Sequence, residues 1–481
     1  MKIIIVGAGI SGCSTYLSLQ KHLPPPPGTG KRHAYTIYEA YDTARDTTFR
    51  ERPTSVTGEG ITRSATLVVG GGLGLGPNGL NVLRRLDESL LRDVVRGGYP
   101  YSEFHLKNAY GWTLMKVQAT AQVDGHVMNS VAMSRHSIWQ CLRDRIPDDV
   151  IVNKKIANVI PHGSSTGKHM VTFIDGSEPV EADLVIGADG LKSTVKRALF
   201  DVEDSQDDPY PPKYEGLVGV GGFTSVTESL RRNIPNGTMT ITHGGSGMFG
   251  YVYSSSSQAD EHRASADHIS SPGNTVTWWS TYGMKECPDP KIVDRMAITE
   301  DLRQRHANWS DPVIQEIIRS VNVETMYPTW TTPELPIWDR DGIVLLGDAA
   351  HALPPTSGQG SAQALEDSES FPMILGHYLK RVYGYEEVRD PPSAELSEKD
   401  AIQLAAKKHT IIRYPRVKTL LDEAQQRQQK KQQKNFVEEF MMYLILWLVE
   451  CSGLFSSANP AKDVLEYNIA DEVQKMLAED T

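Results

Sequence analysis

Residues 2–6 (Lys-Ile-Ile-Ile-Val) form a short apolar run, the pattern of a strand buried on both faces. The mixed stretch from Ser11 to His22 suits a helix, and the prolines from Pro24 to Pro27 stop it. Residues 33–39 then supply a second strand, so a strand–helix–strand unit closes on Glu39. Residues 133–145 read as a helix, with Ile138 and Leu142 one turn apart. Residues 151–183 alternate like antiparallel strands that reverse at Asp175-Gly176. Buried strands return before Asp189 and again at residues 342–347, and helices follow Asp367. Between residues 211 and 330 the texture differs: short β-like segments at 217–221, 239–243, 250–254 and 275–282 are separated by Gly, Ser and Pro.

This order predicts an α/β protein with a discontinuous Rossmann-like nucleotide-binding domain at 1–80, 130–205 and 335–380. A β-rich domain at 81–129 and 206–334 is inserted into it, and a helical region at 381–481 follows. A length of 481 residues suits two domains. A hydrophobic fraction of 39% supports a large core, and a net charge of −11 argues against nucleic-acid binding. Cys13, Cys141, Cys287 and Cys451 are too dispersed for a zinc site or redox dithiol, which points to a reduced, intracellular and cytoplasmic protein. The N-terminal apolar run is too short for a signal peptide. The most apolar segment, residues 440–449, falls short of the about 20 residues needed to span a bilayer. It reads as a buried or homodimer-facing helix, with membrane-surface docking as the alternative.

Three stretches carry chemistry. Gly7-Ala-Gly9-Ile-Ser-Gly12 follows a strand and opens a helix: Gly7 permits the tight turn, Gly9 lets a pyrophosphate approach, and Gly12 lets helix and strand pack closely. Phosphates then meet the free amides of the helix start. Glu39 can accept from a ribose hydroxyl; it lies 27 residues after Gly12, and the loop at 24–31 explains the long spacing. NAD and FAD are not distinguished by this stretch. The second is Asp189-Gly190 at a strand end, with Ser193 and Arg197 beyond it. The third runs from Gly342 through Gly347-Asp348 and a Pro/Gly loop to Gly358-Gln-Gly360-Ser361, and narrows the choice to flavin. A reduced flavin is anionic and needs donors at its pyrimidine edge, which a glycine-rich helix start provides.

Taken in order, the three stretches resemble the set that defines class A flavoprotein monooxygenases, the aromatic-hydroxylase family related to p-hydroxybenzoate hydroxylase. The resemblance runs from Lys2 to about Val417 and includes Gly70-Gly-Gly72-Leu-Gly-Leu-Gly-Pro77-Asn78-Gly-Leu80, in a form frequent in fungal members. Ser134-Arg135 with Leu142 is similar to the family's arginine-bearing helix, Pro328-Thr-Trp330 leads into the third motif as in relatives, and Arg413-Tyr-Pro-Arg416-Val417 resembles the run closing the catalytic region. The resemblance implies an FAD-binding domain, an inserted β-rich substrate domain and a C-terminal helical region. It assigns Gly7, Gly9, Gly12 and Glu39 to the adenosine diphosphate end, with Arg135 in support. Asp189 would serve the pyrophosphate side, Asp348 the ribityl chain, and residues 354–361, with Gly358, Gly360 and Ser361, the isoalloxazine; Gly72 would pass the flavin and substrate pocket. It further implies a small-molecule substrate, O2, and NADPH or NADH as a transient co-substrate, with hydroxylation or epoxidation of an electron-rich molecule in secondary metabolism through a C4a-hydroperoxyflavin. The family usually carries a basic residue soon after the strand-end glutamate; here Ala40-Tyr41 follow, with Arg45, Arg50 and Arg63 as substitutes.

No catalytic side chain is singled out. His351 reads as a turn residue capping backbone rather than an acid–base group, and His243, Tyr214, Tyr251 and Tyr282 fall in the substrate sheet as core or rim. An oxidase or dehydrogenase on the same fold remains an alternative. A flavin halogenase lacks support because no Trp-x-Trp-x-Ile-Pro stretch is present. A non-enzymatic binding module of this nucleotide fold has no need of Asp348 or the loop from Gly358 to Gly360.

Overall fold

The computed structural model describes residues 1–28, 30–43, 71–200, 207–289, 292, 294–385, 396–429 and 461–480. Arg45, Arg50, Arg63 and the apolar segment 440–449 lie outside them. A six-stranded sheet runs in the order Asp339–Arg340, Ile343–Leu345, Leu184–Gly187, Lys2–Val6, Ala34–Glu39, Ile151–Asn153, parallel except at the Asp339–Arg340 edge. Side chains alternate across a strand, so the apolar run at 2–6 serves two cores. Ile3 and Ile5 face the helices Ile10–His22 and Gly360–Val382, while Ile4 and Val6 face helix Thr194–Leu199 and a three-stranded antiparallel sheet. Both faces are covered, as a parallel sheet requires.

The second unit is a seven-stranded sheet ordered Tyr327–Thr331, Lys213–Ser225, Thr275–Gly283, Gly247–Tyr253, Thr238–Gly244, Glu103–Asn108, Thr113–Gln118. Helices Arg295–His306 and Pro312–Ser320 cover one face through Leu302, Ile314 and Ile317. Asp311 fixes that cover. Its carboxylate accepts from Val313 N at 2.9 Å, capping the helix, and from the buried Tyr251 hydroxyl at 2.9 Å. Asp311→Ala is expected to lower stability by about 1–2 kcal/mol, read as a shift in the urea midpoint with unchanged slope.

Three sequence expectations need correction. Residues 81–96, assigned to the β-rich domain, belong to helices Pro77–Leu86 and Glu88–Arg96, whose Leu83, Leu90 and Val94 lie in the core of the nucleotide-binding half. The helix expected from residue 133 starts at Arg135, because Ser134 caps it by accepting from Ser137 N and Met133 ends the preceding strand. Residues 151–153 pair parallel with Ala34–Glu39 instead of joining the antiparallel strands that follow; of those, His169–Phe173 and Val180–Ala182 reverse through Asp175-Gly176 as expected, with Gly176 at φ 72°. The expected C-terminal helices are present, and their Ala401, Ala405, Ile469 and Val473 pack in the same core as Ile3 and Leu19. Among the described residues no helix is long and apolar enough to cross a membrane.

Candidate cofactor and active site

The three glycine motifs meet at two close contacts, one against backbone at Gly7 and one against neighbouring side chains at Gly347. Gly7 turns at φ 102°, and a Cβ there would lie 2.4 Å from the Ala188 carbonyl oxygen, so the first motif presses on the second. Gly12 sits against that turn, with its Cβ position 1.9 Å from the Gly7 carbonyl oxygen. Gly347 turns at φ 60°, and a Cβ would meet Ser11 Oγ at 3.0 Å and Ala364 Cβ at 3.3 Å. The Gly347-Asp348 turn is therefore wedged between the first turns of helices Ile10–His22 and Gly360–Val382.

Around this junction the backbone is open. Among the described residues, no atom beyond the chain neighbours and the helix's own backbone lies within 4 Å of the Cβ positions of Gly9, Gly358 and Gly360. Both helices begin there without a side-chain cap, at Gly9 and Gln359. Uncapped helix starts present unpaired amides and partial positive charge, the setting for an anion. The Asp348 side chain is exposed at the turn, and Ser361 is half-buried in the first turn of its helix. Glu39 accepts from Ala8 N at 2.7 Å and from Tyr41 N at 3.1 Å, and burial pushes its carboxyl above the ordinary value.

Asp189, Gly72 and Arg135 are engaged in other ways. The Asp189 carboxylate is directed back into its own turn, accepting from Ser193 Oγ at 2.5 Å, Thr194 N at 2.7 Å and Val195 N at 3.2 Å, and burial raises its pKa. Gly72 is not open: its Cβ position lies 2.1 Å from Thr277 Oγ1 in the seven-stranded sheet, so glycine serves a close strand-to-sheet approach. Arg135 is exposed at the first position of its helix, and one turn further on Trp139 Nε1 donates to Ala8 O at 2.8 Å, so this helix packs against the first glycine motif.

The sequence reading missed a buried polar cluster that ties the motifs together. Asp367 accepts from Gly347 N at 2.8 Å, His351 Nε2 contacts the same oxygen at 2.6 Å, and Arg413 Nε donates to the other at 2.7 Å. His351 thus pairs with a carboxylate, not with backbone as expected. Arg413 also binds Glu366 and donates to Gln363 Oε1 at 2.6 Å, while Arg416 forks onto Glu366 at 2.7 and 2.8 Å. Asn78 donates to Glu366 at 2.8 Å and to Gln359 at 3.0 Å, which holds the start of the open helix. Burial works to raise the Asp367 carboxyl, but His351 and Arg413 outweigh it and hold it far below the usual range. Glu366 is likewise lowered, by Arg416 and Arg413 against the cost of burial. A helix facing the core yet carrying Gln363, Glu366, Asp367, Glu369 and Ser370 was the available signal, because buried charges demand partners.

Residues 162–384 match the family described as FAD binding domain. Over 324 residues the chain is 26% identical to 6-hydroxynicotinate 3-monooxygenase of Pseudomonas fluorescens, covering 65% of this chain and 74% of that one. Over 384 residues it is 24% identical to salicylate hydroxylase of Pseudomonas putida, covering 78% and 77%. The chain is an FAD-dependent monooxygenase. Its fold matches Klebsiella pneumoniae HpxO complexed with FAD and uric acid at a TM-score of 0.65 and 18% identity, over 95% of each chain.

The monooxygenase fits its cofactor on its own geometry: open glycines, two uncapped helix starts and an exposed carboxylate surround one junction. Tyr251 and Tyr282 are not exposed to that region. Tyr251 is bonded to Asp311 and Tyr282 lies under the Arg305 guanidinium at 3.4 Å, while the Tyr214 hydroxyl donates to Met284 O at 2.8 Å.

Proposed function

We propose that the monooxygenase binds the adenosine diphosphate part of FAD at Gly7, Gly9, Gly12 and Glu39, and the ribityl chain at Asp348. Gly358, Gly360 and Ser361 then face the isoalloxazine. The observation that carries this reading is the wedge of Gly347 between two uncapped helix starts, which brings anion-binding amides and an exposed acceptor to one place. FAD, when bound, supplies the ring that takes hydride from NADPH or NADH and delivers one oxygen atom of O2. The chain itself supplies position and charge. The helix start at Gly9 faces the pyrophosphate, and the one at Gln359 stabilises negative charge on the reduced ring. Asp348 accepts from a ribityl hydroxyl. The remaining task is to exclude water and hold the acceptor atom in reach. The acceptor is an electron-rich small molecule that becomes hydroxylated or epoxidised, and the fungal-type stretch at residues 70–80 supports a place in secondary metabolism.

Two measurements test this. With an acceptor that stimulates NADPH or NADH oxidation, labelled O2 is expected to leave label in the organic product; unlabelled product with stoichiometric peroxide would mean an oxidase. Asp348→Ala is expected to weaken FAD retention at least ten-fold, the loss of one charge-assisted hydrogen bond, without shifting the melting of the apoprotein. Unchanged FAD affinity would remove Asp348 from the site.

A further inference from the structure

The two faces of the seven-stranded sheet differ in charge. Directly paired residues share a face. The helix-covered face holds Tyr251, Trp278 and Ser280 in its middle and, towards the edge, Glu103, His105, Lys107 and Lys116. The opposite face is set by the pairs Gly250–Trp279, Met248–Thr281 and Met248–His243. It continues through Ile241, Leu106 and Met115 to one side and Gly221 to the other. Across strands 103–108, 238–244, 247–253 and 275–283 and the paired part of 217–225, this face holds no Asp, Glu, Lys or Arg. His243 is its single ionisable group.

That uncharged face fronts the cofactor side of the molecule. Thr277 on it meets Gly72, and Met239 on it comes within 3.5 Å of the Cβ position of Gly74. The strand holding both glycines runs into Asn78, whose amide binds Gln359 at the open helix start. Trp279 dominates the surface. Its six-membered ring lies over Gly250, whose Cβ position is 2.2 Å from Trp279 Cζ2, and the residue is half-buried. Glycine at 250 lets the indole lie along the sheet with one side left to a ligand. A flat aromatic surface without an ion partner favours stacking of a neutral ring, and it penalises a carboxylate that must lose water there.

We propose that the oxygen acceptor is a neutral, planar aromatic molecule that lies against Trp279 on the uncharged sheet face, with His243 as the single ionisable group within that face. The proposal deepens the monooxygenase reading and rests on it.

The flavin-loaded protein is titrated with two matched pairs, naphthol against hydroxynaphthoate and indole against indole carboxylate. Binding is read by tryptophan quenching and by perturbation of the visible flavin band. The neutral member of each pair is expected to bind at least ten-fold more tightly. Trp279→Leu should cost the neutral ligands about ten-fold, and Trp279→Phe should restore most of it. Met248→Lys, placed on the same face, should shift the preference towards the carboxylates and keeps the test decisive if the leucine variant misfolds. Carboxylates binding as tightly as their neutral partners, no binding by either neutral ligand, or neutral affinity unaffected by Trp279→Leu would each overturn the proposal. A colourless wild-type preparation would instead strike the monooxygenase reading, so the two failures are distinguishable.

Discussion

Arg413→Met is expected to lower the stability of the protein by about 3–5 kcal/mol and to release FAD well before the wild type does on heating, read by the rise of flavin fluorescence in a thermal melt. Arg413 is fully buried and holds Glu366, Asp367 and Gln363 together. A methionine fills much of the space but leaves two buried carboxylates short of a cation, and an unpaired buried charge costs more than the pair contributes. Arg416 and Asn78 still serve Glu366, whereas Asp367 keeps only His351 and the Gly347 amide. The damage therefore falls on the Gly347-Asp348 turn. Acid sharpens the effect. Asp367 is held ionised far below the usual carboxylate range, so its contribution is complete above about pH 4 and is lost as pH falls through the lower folded value. Without Arg413 the folded value rises, and acid unfolding should begin at a higher pH. Double substitution with Asp367→Asn should recover part of the loss; full additivity of the two would mean that the residues do not act as a pair.

The glycine motifs were legible because each answers a local steric demand that is written in a few consecutive residues. Gly7, Gly12 and Gly347 touch backbone or neighbouring helices where no Cβ fits. The parallel strands were legible for a similar reason: a run such as residues 2–6 is apolar because both of its faces are buried. What escaped was set by contacts distant in sequence. Arg413 meets Asp367 across 46 residues, and Asn78 meets Glu366 across 288. Gly72 reads like its neighbours in a glycine-rich run, yet its constraint is Thr277, a residue of another sheet. Residues 81–96 were misassigned because an amphipathic helix does not announce which of two cores its apolar side will join. The uncharged sheet face was also invisible, since it depends on the register of five strands rather than on any one of them.

Gly12→Ala and Gly9→Ala are expected to separate the two duties of the first glycine motif. A Cβ at Gly12 would lie 1.9 Å from the Gly7 carbonyl oxygen, a backbone atom that cannot swing aside. The helix Ile10–His22 must lift from the turn, and it carries Ser11 away from Gly347 as it does so. Overpacking of this kind costs about 1–3 kcal/mol, so FAD should bind some ten- to a hundred-fold more weakly and the apoprotein should also melt earlier. Gly9 is the contrasting case. Its φ of −74° suits any residue, and among the described residues no other part of the chain approaches its Cβ position. Alanine there should leave the melting of the apoprotein unchanged and still weaken FAD, because the methyl group enters space that the pyrophosphate needs. The check is a pair of measurements on each variant, apoprotein melting and FAD titration. Gly9→Ala binding FAD like the wild type would show that the phosphates do not pass this helix start, whatever Gly12→Ala does.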